Sequence, residues 1–397
     1  MALTMAEKRS ITREMGRRYA KASKGERGLM LDELCALAGY NRSYAARLLR
    51  ARARGPAPPK RARIRARTYG PELLVPLRKL WATLDRPCGK RLAAVMAATI
   101  EALERHGELE LSQEQRRLLC SISPASLDRL LASERARLRL KGRAMTKPGS
   151  LLKGQIPVRT FEQWDHGKAG FLEIDLVSHE GGDPRGEFAY SLCCVDVASG
   201  WTEPRVVRNR ASCWTFEALQ DVRASLPFAL LGLDCDNGAE FINNNLARWC
   251  EGEKITFTRS RPYRKNDGCH VEQKNWSVVR REIGYGRYDE ERERKLIGQI
   301  YVDLRLYVNF FLPSVKLLAK ERVGAKVHKR YDRPTTPYQR LLALRTLDEA
   351  TAATMQELYL SLNPAELRRR LTDAERKLMR LCALKEEMRR KEVAATA

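Results

Sequence analysis

Between residues 171 and 283 the chain alternates between short apolar strands and amphipathic helices. Three β-rich stretches come first, "FLEIDLVSH", "EFAYSLCCVDVASGW" and "TEPRVVRNR", with a turn at Ala198-Ser199-Gly200. They are followed by a helix at 213–226, a strand at 228–236, a helix from about Gly238, the strand "KITFTRSR" and a helix at 269–283. The short turns predict an antiparallel meander for the first three strands. The later alternation of strands and helices predicts an α/β fold, a five-stranded mixed sheet with flanking helices.

Three carboxylates occupy distinct places in this pattern. Asp175 lies in the middle of the first strand, Asp236 ends the fourth strand, and Glu272 lies in the first turn of the last helix. There are 60 residues between Asp175 and Asp236 and 35 between Asp236 and Glu272. Three carboxylates at one point repel each other and retain protons unless a cation lies among them. Oxygen ligands without a nearby set of Cys and His favour Mg²⁺ or Mn²⁺ over zinc.

The motifs "IDLVSH", "DNGAEF" and "NDGCHVEQKN", with the 35-residue gap, resemble the D,D-35-E signature of the retroviral integrase and bacterial insertion-sequence transposase superfamily. The resemblance covers about residues 165–320. It implies that this region is an RNase H-like catalytic core. In the family pattern the metal ligand immediately precedes Asn-Gly, so the resemblance identifies Asp236, rather than Asp234, as the ligand.

The resemblance also implies a mechanism of two-metal phosphoryl transfer. Asp175 would bridge two Mg²⁺ or Mn²⁺ ions, Asp236 would hold one of them, and Glu272 would hold the other. Water would cut at the end of a DNA element, and the freed 3′-hydroxyl would attack target DNA. The implied partner is double-stranded DNA, as terminal repeats and as target. Two DNA ends joined in one event imply a homodimer or a higher oligomer.

The charge of the chain supports a nucleic-acid partner. Lys and Arg number 74 against 49 Asp and Glu, which gives a formal net charge of +25. Such an excess implies a polyanionic partner, nucleic acid before membrane, because no basic amphipathic anchor is evident. Residues 42–67 hold ten basic side chains and no acid, which indicates either a phosphate-tracking arm or a flexible, solvated spacer. The basic residues that we expect to contact DNA are Arg42, Arg47, Arg50, Arg63, Arg65, Arg67, Arg261, Arg264, Lys265 and Lys274.

Residues 31–50 have the pattern of a helix-turn-helix motif. A first helix places Leu31, Leu34, Cys35 and Ala38 on one face, and Gly39 supplies the turn. The second helix begins at about Asn41 and has a basic outer face. A plain helical hairpin is the alternative.

Six segments are predicted along the chain. Residues 71–137 have helical patterns, and two interpretations stay open for them, a second DNA-binding domain and a helical spacer. The tail is helical, with "NPAELRRRL" as a capped start, and we expect it to pack onto its own chain in preference to forming a coiled coil. The segments are 1–70 (helix-turn-helix and basic linker), 71–140 (second helical domain), 141–165 (linker), 166–320 (catalytic core), 321–345 (connector) and 346–397 (helical tail).

The leading hypothesis is a DDE-type DNA transposase. A transposase-derived DNA-binding regulator without cleavage activity and an RNase H-like nuclease without strand transfer are the alternatives. No signal peptide and no run of 18 apolar residues is evident, so we expect a cytoplasmic bacterial protein that is nucleoid-associated when bound to DNA.

Overall fold

The computed structural model of the protein describes residues 3–53, 68–137, 167–236, 238, 240–259, 269–323 and 326–396. The chain divides into two compact units, Met1–Thr68 and Tyr69–Ala397. This division is coarser than the six segments predicted from the sequence, and those segments remain predictions. No helix in the described ranges has both the length and the apolar character needed to cross a membrane.

The described part of the first unit contains helices α1 (Met5–Lys21), α2 (Lys24–Ala38) and α3 (Arg42–Ala53). Thr4 and Ser23 begin α1 and α2 with capping boxes, in which a hydroxyl and a glutamate exchange hydrogen bonds with backbone N–H groups. Gly39 ends α2 with a φ of 67°, a left-handed conformation that favours glycine. Leu34, Ala45 and Leu49 are fully buried between the helices. The predicted pair of helices around a glycine turn is therefore present.

The sheet of the second unit has the order β3-β2-β1-β4-β5. Its strands are β1 (Phe171–Ser178), β2 (Tyr190–Asp196), β3 (Thr202–Val207), β4 (Gly232–Cys235) and β5 (Thr256–Arg259). The first three strands pair antiparallel, and β1, β4 and β5 pair parallel. This topology confirms the predicted RNase H-like fold class. The class has a mixed five-stranded sheet with flanking helices, between helical N-terminal and C-terminal regions.

Helices cover both faces of the sheet because side chains alternate along each strand. Helices α9 (Ser212–Ser225) and α10 (Asn244–Gly252) pack on the face that carries Ile174 and Cys194. The opposite face carries Cys193 and packs against the helical segment at 269–283. That segment consists of α11 (Cys269–Lys274), a π-helical turn (Asn275–Arg280) and α12 (Arg281–Ile283).

The helix predicted to begin at about Gly238 begins at Asn244 instead. Two local hydrogen bonds explain the difference. The Gly238 N–H donates to Asp236 Oδ1 at 2.9 Å and holds a turn directly after β4. The Asn243 side chain then accepts the Leu246 N–H at 3.0 Å and caps the helix.

The remaining helices of the second unit surround one large apolar core that continues to the sheet. Helix α13 (Glu291–Phe311) lies at its centre, and the Tyr307 hydroxyl donates to Thr83 O at 2.5 Å. The other members are α4 (Leu74–Thr83), α5 (Gly89–Arg105), α6 (Gln113–Ser121), α7 (Pro124–Leu130), α14 (Pro337–Leu344), α15 (Glu349–Ser361) and α16 (Pro364–Thr396), with a short 3₁₀ turn at Pro71–Leu73. The short helix α8 (Ala132–Arg137) follows α7 and has no buried residue. A hairpin of β6 (Leu317–Val323) and β7 (Lys326–Tyr331), which the sequence analysis did not predict, follows α13.

The C-terminal helix α16 packs back onto its own chain, as expected. Leu367, Leu371 and Leu378 are buried against the shared core. Lys385, which interrupts the apolar spacing of this helix, also faces inward. Its ammonium group donates to Glu293 Oε1 at 2.5 Å.

Candidate active site

The Asp175 carboxylate lies near the centre of the sheet and is tied to two elements. β1 pairs with β2 so that Asp175 is opposite Cys193. Asp175 Oδ1 accepts the Leu176 N–H at 2.8 Å, and Asp175 Oδ2 accepts Asn275 Nδ2 at 2.6 Å. Since Asn275 belongs to the helical segment at 269–283, the second bond connects the strand to that helix.

Asp236 directly follows β4. This strand runs parallel to β1 with Cys235 beside Ile174, so the next residues, Asp236 and Asp175, are neighbours on strands about 4.8 Å apart. The carboxyl ends of parallel strands are where open α/β sheets bind ligands. Asp236 is exposed to solvent as a residue, although surrounding protein atoms desolvate its carboxylate.

Glu272 lies in the first turn of α11 and is exposed. A negative side chain in the first turn is favourable, because the N-terminal end of a helix carries a partial positive charge. The helix thus presents Glu272 beside the sheet edge that carries the two aspartates.

The pKa of Asp175 reports on this arrangement. The pKa of Asp175 is raised to about 7, mostly by burial and next by the charge of Asp236, with Glu272 contributing in the same direction. The bonds from Leu176 and Asn275 oppose the increase. Burial also raises the pKa of Asp236, against the hydrogen bond from Gly238. Three carboxylates therefore share one region in which their negative charges disfavour each other.

The donor chemistry of this region fits a hard divalent cation. Asp175, Asp236 and Glu272 supply oxygen ligands, and Mg²⁺ and Mn²⁺ are bound by such ligands. In the described ranges no three Asp, Glu, His or Cys side chains are arranged closely enough to hold a metal ion. Bringing Asp175, Asp236 and Glu272 to coordination distance therefore requires side-chain movement.

The neighbouring acid Asp234 has a different environment from Asp236. It is only 2% exposed, and Asp234 Oδ1 accepts the Thr258 hydroxyl on β5 at 2.6 Å. This hydrogen bond joins two neighbouring strands within the sheet, before the point where β4 ends. The structure therefore separates the two aspartates of "LDCDNG" into an internal residue and a residue at the sheet edge.

Sequence reasoning missed two polar side chains here. Asn275 bonds to Asp175, and Glu173, only 1% exposed, accepts the N–H groups of His270 and Val271 at 2.9 and 3.1 Å. A signal for Glu173 was present in the sequence, because an acid two residues before Asp175 lies on the same strand face.

Three of the predicted DNA-contacting residues lie on the outer side of α3. Arg42, Arg47 and Arg50 are exposed there. Arg42 forms an ion pair with Asp32, and the Arg47 guanidinium lies 5.2 Å from the centre of the Tyr44 ring. The motif therefore presents a basic outer surface.

Lys274, another of the predicted DNA contacts, is less exposed than these three arginines. It is half-buried and lines a cavity of about 190 Å³ together with Arg91 and Trp276, and burial lowers the pKa of Lys274 to about 8. The other predicted contacts lie outside the described residues; they are Arg63, Arg65, Arg67, Arg261, Arg264 and Lys265.

Trp276 and Val279 follow Glu272 by four and seven residues in the sequence, a spacing that predicts core positions for both, and the structure confirms this for Val279 only. Val279 is fully buried, whereas Trp276 is 63% exposed. Trp276 follows Glu272 by four residues, so the two share a helix face, and that face is open. The prediction was wrong for Trp276 because an exposed first-turn residue places its i+4 neighbour outside as well.

The strand order 3-2-1-4-5, the antiparallel β2, and Asp175 within β1 beside Asp236 at the end of the parallel β4 define an RNase H-like α/β domain. The chain is 40% identical over 338 residues to the uncharacterized protein y4rM of Sinorhizobium fredii. The alignment covers 85% of this chain and 96% of y4rM. The chain belongs to the same family as y4rM. No protein-family model matches it.

Two retroviral cores are among the similar solved structures. The catalytic core domain of BIV integrase aligns with 44% of this chain and 95% of its own at 18% identity and a TM-score of 0.28. The HTLV-2 integrase catalytic core domain in complex with magnesium aligns with 37% of this chain and 91% of its own at 14% identity and a TM-score of 0.28. With scores this low, the strand order alone carries the fold assignment.

Proposed function

We propose that this protein is a DNA transposase of the DDE type, which cleaves the ends of a DNA element and transfers the 3′-hydroxyl to target DNA. One observation carries the proposal. Asp175 on β1 lies beside Asp236 after β4, and burial, together with the charges of Asp236 and Glu272, raises the pKa of Asp175 to about 7. A group of acids that is electrostatically unfavourable alone becomes favourable around divalent cations.

Asp175, Asp236 and Glu272 would hold two Mg²⁺ or Mn²⁺ ions. When bound, such ions lower the pKa of an attacking water or hydroxyl and stabilise the leaving oxygen of a phosphodiester. Asn275 orients the Asp175 carboxylate through its 2.6 Å hydrogen bond, and the turn at Gly238 orients Asp236. No covalent intermediate is needed, so a Ser, Tyr or Cys nucleophile is not required.

The first unit supplies DNA binding in this proposal. Arg42, Arg47 and Arg50 on the exposed side of α3 are suited to phosphate and base contacts, as in the second helix of a helix-turn-helix motif. The proposal also includes a dimer or a higher oligomer on DNA, with one catalytic core for each element end.

The test is Asp236→Asn, measured with duplexes that carry the DNA flanking the coding region. With Mg²⁺ present, 3′-end cleavage should fall by roughly a thousandfold or more, since an amide is a poor metal ligand, while DNA binding stays unchanged. Cleavage that persists in Asp236→Asn would rule out this site.

Two further results would select the alternatives. A wild-type protein that binds the ends without cutting them is a DNA-binding regulator. A protein that cuts the ends without joining them to target DNA is a nuclease.

A further inference from the structure

A second acid on β1 faces the helix that carries Glu272. Glu173 precedes Asp175 by two residues, so both side chains leave the same face of the strand. Glu173 Oε2 accepts the N–H of His270 at 2.9 Å and that of Val271 at 3.1 Å. The first N–H groups of a helix have no partner within the helix, and a carboxylate there forms charge-assisted bonds with them.

These bonds fix the backbone immediately before Glu272. Strand β1 therefore presents Asp175 to the site and, through Glu173, holds the start of the helix that supplies the third acid. The Asn275 bond to Asp175 fixes the next turn of the same helix. Hydrogen bonds therefore connect the helix to β1 on both sides of Glu272, each within three residues of it, and they fix the position of its backbone relative to the strand.

Stability alone is a weak reason for an acid at this position. On β2 the neighbours of Glu173, Cys193 and Val195, are apolar and buried, and on β4 its neighbour is a second buried acid, Asp234. Burying a carboxylate costs free energy that its hydrogen bonds only offset, and well-packed apolar side chains often replace buried ionic groups without loss. What an apolar residue does not supply is a directional bond to the helix start.

We propose that Glu173 is a positioning residue that sets Glu272 relative to Asp175 and thereby tunes the affinity of the site for its divalent cations. This inference rests on the proposed function, in which Glu272 is a metal ligand. Groups that orient metal ligands typically change metal affinity or activity about 10- to 100-fold when they are removed.

The variants are Glu173→Ala, which removes the acceptor, and Glu173→Gln, which keeps an acceptor oxygen of nearly the same reach. Asp196→Ala is the matched control. Asp196 is also a buried carboxylate that accepts two backbone N–H groups, those of Gly170 at 2.8 Å and Ser199 at 2.7 Å, but it ends β2 opposite Leu172 and therefore lies on the other face of the sheet from Glu173 and α11.

The first measurement is amide hydrogen exchange by mass spectrometry on the full chain. Glu173→Ala should accelerate exchange in peptides that cover 269–274, Glu173→Gln should do so less, and Asp196→Ala should leave these peptides unchanged. Unchanged exchange in Glu173→Ala would overturn the inference.

The second measurement is the Mn²⁺ concentration that gives half-maximal DNA cleavage. It should rise about tenfold or more in Glu173→Ala, mostly return in Glu173→Gln, and stay within about twofold of wild type in Asp196→Ala. If this concentration rises by a similar factor in Glu173→Ala and Asp196→Ala, Glu173 acts only through the general stability of the fold, which contradicts the proposal.

Failure of the proposed function is distinguishable from failure of this inference. If the wild-type protein does not cleave DNA, calorimetric titration with Mn²⁺ replaces the cleavage assay for the same variants. Weaker Mn²⁺ binding in Glu173→Ala than in Asp196→Ala would support the positioning role. Equal binding in wild type and Glu173→Ala would overturn it.

Discussion

At the residue scale, Asp234 and Asp236 show how much of a residue's environment can be predicted from its local sequence. They are one residue apart and face the same side of the chain, yet Asp234 is held inside by Thr258 and Asp236 lies at the end of the sheet. The position of Asp236 directly before Asn-Gly predicted it as the metal ligand, which remains a prediction, and did not predict the burial of Asp234. The roles of Glu173 and Asn275 were not predicted, because their partners are about 100 residues away along the chain.

Gly238 is a residue at which a single methyl group should disturb the site. A Cβ there would lie 2.6 Å from Glu240 Cδ and 2.9 Å from Asp236 Oδ1. Both neighbours are side-chain ends that can move, so Gly238→Ala should displace Asp236 without unfolding the protein. We expect DNA cleavage to fall about tenfold or more, the cost of a misplaced ligand, with a melting temperature within about 2 °C of wild type.

Gly252→Ala is the control for this change. Position 252 ends α10 and has no atom within 4 Å of an added Cβ. Cleavage should stay at the wild-type level there. Equal activity of Gly238→Ala and wild type would show that the turn does not control the Asp236 carboxylate.

At the element scale, periodicity located most helices and strands, and the errors arose where capping or a neighbouring element intervened. Helix α10 begins six residues later than predicted, because the turn after Asp236 and the Asn243 cap delay it. Alternation along a strand and spacing along a helix are visible within a few residues, whereas the side of a helix left uncovered depends on which other elements lie nearby. The exposure of Trp276 is an example.

Helix α16 provides a stability prediction. The Lys385 ammonium, 4% exposed, bonds to Glu293, 1% exposed, and to Asp289 Oδ1 at 2.8 Å. Lys385→Met leaves the buried Glu293 without its cation, while Asp289 keeps Arg287 and Arg389, and breaking a buried ion pair costs about 3–5 kcal/mol. Denaturant unfolding followed by tryptophan fluorescence should show this loss, since all six tryptophans lie after residue 69.

Arg376→Ala is the comparison on the same helix. Arg376 pairs with Asp373 while both side chains are about two-thirds exposed, and such surface pairs contribute little. The free energy of unfolding should change by less than about 0.5 kcal/mol. If the two variants unfold at the same denaturant concentration, the inward-facing Lys385 does not hold α16 in place.

At the scale of the whole molecule, the excess of basic residues should make DNA binding depend steeply on salt. With about eight phosphate contacts, affinity for duplex DNA should drop roughly 10³- to 10⁵-fold between 50 and 200 mM salt. Fluorescence anisotropy with a labelled duplex at several salt concentrations gives the slope. An affinity that does not change with salt concentration would show that the basic surfaces do not contact DNA.

A paired variant locates this effect. Arg47→Ala removes one exposed cation of α3 and should reduce the slope of log affinity against log salt by about one unit, if Arg47 contacts a phosphate. Arg376→Ala, an exposed cation that is paired on α16, should leave the slope unchanged.

The local pattern of this chain was sufficient to indicate the five strands of the sheet, the order in which they alternate with helices, and the three acids with their spacing, but not the β6–β7 hairpin. Such information lies within short windows, because turn residues, alternation and capping are local. Tertiary structure alone decided which acid is buried, which helix face is open, and that helices before and after the sheet share one core. Those outcomes depend on contacts between residues far apart in the chain, such as Glu173 with His270 and Tyr307 with Thr83, which no short window contains.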